Sequence, residues 1–241
     1  MPVACTPRAT RNPRSSFCLL CLVLTSLASG GCLRDRYHVK SGDPARPALG
    51  PPTVGTRFAR LTHVQWANTV RELFALDSVE DITRNFRPDP NEKGFLFDNY
   101  AASFSVDEAL WHEYQNAAAE VAERVTRDPA HLAKLVPPQT GDDARARTFI
   151  TRFGQLAHRR PLTEDQIGQY LDVFHAGEGA YSGLGEFEGG IRLVIEALLQ
   201  SPYFLYRVEG NGGPQPGGLR LDAYDIAFRL SYTFWNTMSD A

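Results

Sequence analysis

The 241 residues, 43% hydrophobic and 22% charged, are enough for one or two domains with a real buried core. Twenty-eight acidic residues face 25 basic ones; residues 1–31 hold three of the arginines and no acid, so the remainder carries a net charge of −6. That sign argues against nucleic acid or an anionic lipid surface as a partner.

Arg8, Arg11 and Arg14 precede an apolar run of about a dozen residues, Phe17 to Ala28. Such a run suits the hydrophobic region of a signal peptide and falls short of the ~20 residues that cross a bilayer. All four cysteines, Cys5, Cys18, Cys21 and Cys32, lie at the front. Nothing after Cys32 can form a disulfide, a thiolate zinc site, a CxxC redox pair or a CxxCH haem attachment. Cys32 follows Leu27-Ala28-Ser29-Gly30-Gly31, small residues after a leucine, as in a bacterial lipoprotein processing site. The leucine usual three residues before the cysteine is replaced by Ser29, and cleavage after Ala28 or Gly30 is the alternative. Lipidation of Cys32 is the expectation, and more than one acyl chain anchors a protein firmly where a single chain binds only marginally. Residues 1–31 thus read as a lipoprotein-type signal peptide. Residues 32–57, rich in Pro and Gly, read as a flexible tether reaching about 25–30 Å. The expected location is exported and membrane-anchored in the bacterial cell envelope, at the periplasm or the outer-membrane surface.

Behind the tether, hydrophobic periodicity predicts an all-α fold, an irregular multi-helix bundle of about six helices. In a first module, residues 58–135, Thr62 and Gln65 form a capping box, with Leu61 placed to staple onto Trp66. Trp66, Val70, Leu73 and Phe74 then share a helical face. Between Asp77 and Ser103 periodicity stops. Asp89, Asn91 and Gly94 fit positions 1, 3 and 6 of a calcium loop, but Lys93 and Tyr100 stand where positions 5 and 12 need oxygen ligands, so the calcium reading fails. Phe95, Phe97, Tyr100 and Phe104 are expected to pin this loop to the core. A second capping box, Ser105 with Glu108, opens a helix to about Arg127 on which Leu110, Tyr114, Ala117, Val121 and Val125 align. Pro129 to Leu135 adds a short helical turn.

A central module, residues 142–210, carries three striped helices behind a polar stretch, Gly141 to Arg147. Phe149, Ile150, Phe153, Leu156 and Ala157 mark the first, which Pro161 closes. Thr163 and Gln166 cap the second, faced by Ile167, Tyr170, Leu171 and Phe174. The third, with Phe187, Ile191, Val194, Ile195, Leu198 and Leu199, is the most apolar and the expected centre of the core. After a Gly210 to Gly218 linker, Asp222 and Asp225 repeat the capping arrangement and start a third module, residues 219–241. Its helix carries Ile226, Phe228, Leu230, Tyr232, Phe234 and Trp235. So much apolar surface calls for a partner, and Phe228, Tyr232 and Trp235 are the expected interaction patch.

RLTHVQWANTVREL, then FITRFGQLAHRRPLTEDQ with FEGGIRLVIEALLQSPYFLYRVE, then RLDAYDIAFRLSYTFW, resemble successive modules of the planctomycete-specific domains of unknown function. These are large secreted bacterial proteins built from several modules, and the resemblance spans Arg60 to the end. It implies an envelope location, a member truncated after the start of its third module, and no established activity. Two departures stand out. His158 occupies a place where relatives tend to have an aromatic, and a cysteine pair found around the second module of many relatives is missing.

No catalytic constellation emerges. The six histidines, His38, His63, His112, His131, His158 and His175, show no metal-ligand spacing, and no G-x-S-x-G, P-loop or dinucleotide fingerprint occurs. No cofactor and no metal is expected. Arg159 and Arg160 before Pro161 form the best polar cluster: they either clamp an anion, with Arg71 as a third cation, or cap the preceding helix. Two functions follow. One is an envelope lipoprotein module that binds a protein partner through the C-terminal helix. The other is the front of an envelope enzyme, directed at polysaccharide, whose active site is completed beyond Ala241. A cleft lined by Arg71, Asp98, Arg159 and Arg160 would mark the enzyme, and an apolar patch at Phe228, Tyr232 and Trp235 the binding module.

Overall fold

The computed structural model describes residues 58–91, 100–136, 138, 141–210, 213–215 and 218–239. The leader, Cys32, the tether, Phe95, Phe97 and Asp98 lie outside the described residues. Those described are mostly helical, with strands only of two or three residues each, so the all-α reading holds. No helix among them is long and apolar enough to cross a membrane.

The chain order runs β1 (Phe58–Arg60), α1 (His63–Leu73), α2 (Glu80–Thr83), a 3-10 turn (Ala101–Ser103), α3 (Glu108–Arg127), α4 (Pro129–Leu135) and α5 (Asp142–His158). It continues with α6 (Glu164–Gly177), α7 (Glu186–Gln200), α8 (Pro202–Leu205), β2 (Tyr206–Val208), β3 (Pro214–Gln215), β4 (Gly218–Leu219) and α9 (Ala223–Phe234).

The capping boxes of α1, α6 and α9 form as the sequence predicts. Thr62, Thr163 and Asp222 each accept the N–H three residues on, and the Gln65, Gln166 and Asp225 side chains accept the cap's own N–H. Three local expectations are corrected. The cap of α3 is Asp107, whose carboxylate accepts the Leu110 N–H at 3.0 Å and pairs with Arg87, and not Ser105. α5 begins at Asp142, inside the stretch read as a polar lead-in. Asp142 and Asp143 are favourable in a first turn, where the helix dipole is positive, and Arg145 pairs with Asp142 at 2.8 Å. The Gly-rich linker closes into a small antiparallel ladder, β3 on β4. Within the long loop, Phe104 is buried beneath the Arg60 guanidinium, 4.6 Å away, whereas Tyr100 stays largely exposed.

α7 is the centre of the core. Its six large apolar side chains are all buried, and it packs most extensively on α3 and α6. Full burial of each contributes ~1.5–3 kcal/mol before entropy is subtracted. α6 comes close because α7 has no side chain in the way. A Cβ on Gly190 would stand 2.4 Å from the Phe174 ring, and one on Gly189 2.6 Å from the Gly177 carbonyl.

β1 pairs antiparallel with β2, Ala59 opposite Arg207. The start of the first module is therefore stitched to the end of the second. Leu61, just after β1, gives its N–H to the Leu205 carbonyl at 2.9 Å. Its side chain does not staple within α1; it joins Phe228, Tyr232 and Met238 in a small second cluster beside the main core.

Candidate functional site

Arg159 ends α5 in the left-handed conformation, φ 60°, and its backbone N–H closes that helix. The side chain then leaves α5 altogether. Its Nη1 and Nη2 donate to the Tyr203 and Phe204 carbonyls at 2.9 and 2.8 Å, and its Nε donates to the Tyr232 hydroxyl at 3.0 Å. Arg159 is buried, so these contacts turn it into the C-terminal cap of α8 and a brace for α9. Arg160 donates to Asp222 Oδ2 at 3.3 Å and to Asp225 Oδ1 at 3.0 Å. Arg71 lies apart on α1, half exposed, with Glu72 as its ion-pair partner at 3.9 Å. The three cations therefore form no common anion clamp: Arg159 and Arg160 hold the fold, and the expectation that they cap α5 is corrected to a cap of α8 and an anchor of α9.

α9 is tied down mainly by polar groups. Asp225, fully buried, also accepts the Asp222 and Gly210 N–H groups at 3.0 and 3.1 Å. Arg229 makes a two-pronged pair with Glu209, which raises the Arg229 pKa. The Tyr232 hydroxyl meets Thr69 Oγ1 at 2.9 Å, Thr237 Oγ1 donates to Glu72 at 2.6 Å, and Asn68 donates to the Asn236 carbonyl at 3.2 Å. Guanidinium groups of Arg159 and Arg207 lie 5.1 and 5.9 Å from the Tyr232 ring centre. Phe228 and Tyr232 are consequently buried, at 2% and 3% exposure, and do not form a surface patch. Of the three patch residues predicted, only Trp235, 69% exposed, faces solvent. The exposed apolar side instead comprises Ile226, Leu230 and Phe234, one helical turn apart, with Trp235 at the end. A groove of about 430 Å³ runs beside it, lined by Leu230, Trp235, Met238 and Glu72 among others.

Two further clusters have no sequence signal. In the first module, the buried Arg60 donates to the Tyr114 hydroxyl at 2.5 Å and to Asp89 at 2.6 Å, and Asp89 also accepts the His63 N–H at 2.6 Å. The carboxylate once weighed as a calcium ligand is thus held by a cation and by the first turn of α1. Burial lowers the His63 pKa and pushes the Tyr114 hydroxyl up to about 12. In the central module, His158 Nε2 sits 3.0 Å from the Tyr170 hydroxyl and 3.4 Å from Ser201 Oγ, and its ring stacks on Tyr203. Burial, then the adjacent Arg159 and Arg160 charges, lower its pKa to about 4. His158, Tyr170 and Ser201 come from α5, α6 and the cap of α8, so only the tertiary fold assembles them.

These features define a class: a helical protein in which the prominent charged clusters hold the helices together. Residues 59–127 match the family model described as PSD3, protein of unknown function (DUF1587), and residues 145–209 match that described as PSD5, protein of unknown function (DUF1595). The chain thus carries a region similar to each of these two domains of unknown function, in that order. No match is found among curated proteins or among solved structures.

Proposed function

We propose that the chain is an envelope lipoprotein module, exported and anchored through Cys32, that docks a protein partner on α9. The observation that carries this reading is the exposed stripe of Ile226, Leu230 and Phe234 beside the groove that ends at Trp235. Spacing by four residues is the pattern an amphipathic helix reads when it lies along another. The occupant of stated chemistry is therefore an amphipathic helix of the partner that inserts an apolar side chain into the groove. Among the groove's lining residues the one charged side chain, Glu72, already accepts from Thr237, which suits an apolar insert better than an ion.

The test is a photo-crosslinking amino acid placed at Leu230, and in a control at exposed Glu164 on α6, in cells that make the protein. A defined crosslinked partner from position 230, lost in L230E/F234E and absent from position 164, is the expected outcome. Equal crosslinking from both positions, or none from 230, overturns the reading. In the same cells a Cys32→Ser chain should leave the membrane fraction; retention would remove the anchor from the proposal.

A further inference from the structure

The cavity beside α6 and α8 carries chemistry that neither the core nor α9 uses. Its volume is about 320 Å³, and among the described residues no carboxylate, lysine or arginine lines it. At neutral pH the buried His158 imidazole is uncharged as well. An ion entering such a cavity would lose hydration and find no opposite charge in the lining itself to pair with. The polar groups present are both donors and acceptors. The hydroxyls of Tyr170 and Ser201 converge on His158 Nε2 at 3.0 and 3.4 Å. The Gln166 oxygen is taken by the Thr163 N–H, which leaves its amide nitrogen, and the amide group of Gln169 has no hydrogen-bond partner among the described residues. One aromatic completes the set. Tyr203 stacks on His158 with ring centres 5.0 Å apart and planes 30° apart, yet remains 45% exposed. The stacking fixes the ring from one side, and its backbone carbonyl is held by Arg159.

A fixed, half-exposed aromatic ring beside uncharged donors and acceptors matches a ligand that has a C–H face and a hydroxyl edge. We propose that this cavity binds an uncharged sugar ring, its C–H face laid on Tyr203 and its hydroxyls bonded to Gln169, Gln166 and the His158–Tyr170–Ser201 cluster. The volume lies at the low end of the ~300–1,000 Å³ range of small-molecule sites, which sets the occupant at one ring of a glycan and not a longer segment. The site is independent of the α9 face and stands or falls apart from it.

Saturation-transfer NMR on the whole chain tests this with three neutral probes, cellotriose, maltotriose and N,N′-diacetylchitobiose, against glucuronate and adenosine as charged and flat-ring controls. Saturation should reach the ring C–H protons of at least one neutral probe. Tyr203→Ala should weaken its binding by about tenfold, the scale of an aromatic contact and its lost burial. Gln169→Ala, at an exposed position that leaves the fold intact, should weaken it several-fold, and it decides alone if the tyrosine variant fails to fold. No transfer to any neutral probe, equal transfer in wild type and Gln169→Ala, or preference for glucuronate or adenosine overturns the proposal.

Discussion

Thr62 opens α1 and Asp222 opens α9 with the same reciprocal cap, yet the two helices finish in different surroundings. α1 buries Trp66, Val70 and Leu73, with Phe74 at its end, in the main core. α9 buries Phe228 and Tyr232 in a small cluster and otherwise depends on Asp225, Arg229, Tyr232 and the hydrogen bonds that lead back to α1. Local capping chemistry decides that a helix forms, and its neighbours decide what the helix hides. A helix held by apolar burial has no side to spare; one held by polar anchors at fixed points can leave its remaining apolar stripe in water.

The sharpest way to break this comparison is to remove the tryptophan of each helix. Trp66→Ala should cost ~3–5 kcal/mol, the range for a fully buried large side chain, while Trp235→Ala should cost under ~0.5 kcal/mol as a surface change. Urea denaturation of both variants checks it, and similar losses would mean that α9 is packed as firmly as α1.

Acid should weaken the α1 side and the brace beside α9, since α9 itself has no histidine. His158 titrates near 4 in the folded chain and near 6.5 when unfolded, and the His63 pKa is lowered too. The unfolded chain therefore binds more protons between these values. The contribution is fully present above pH ~6.5 and is lost as pH falls toward 4, up to ~3 kcal/mol for His158. Denaturation midpoints from pH 7 to 4 should fall less steeply in His158→Phe, and an unchanged slope would contradict the buried neutral imidazole.

Tyr232→Phe keeps the ring and deletes the hydroxyl that Arg159 and Thr69 share. Leaving the Arg159 Nε without its acceptor should cost ~1–3 kcal/mol, read by denaturation. It should also loosen α9 before α1 in hydrogen exchange. Last come the caps: Thr62→Ala and Asp222→Ala should each cost ~1 kcal/mol, and thermal melting of the pair shows whether the shared device carries equal weight in both settings.

The caps, the stripe of α7 and the face of α3 were legible because each depends on residues three or four apart. The Arg159 contacts were not. They join α5 to carbonyls 44 and 45 residues further on, and a sequence places arginine before proline without saying which backbone it will reach. Separation also hid the His158 cluster, whose partners lie 12 and 43 residues further on. The α9 patch failed for another reason. Apolar residues at 226, 228, 230, 232, 234 and 235 lie all round that helix, so periodicity cannot choose its buried side. The choice fell to Leu61 and Arg159, which reach Phe228 and Tyr232 from elsewhere in the chain.

The pairing of β1 with β2 also governs the timing of synthesis. Arg60 lies opposite Tyr206, so β1 leaves the ribosome long before its partner exists. At ~5–20 residues per second the wait is on the order of ten to thirty seconds. Through that interval β1 offers an unpaired edge that any extended chain can borrow, which makes the newborn first module the stage at which a holding chaperone is most useful.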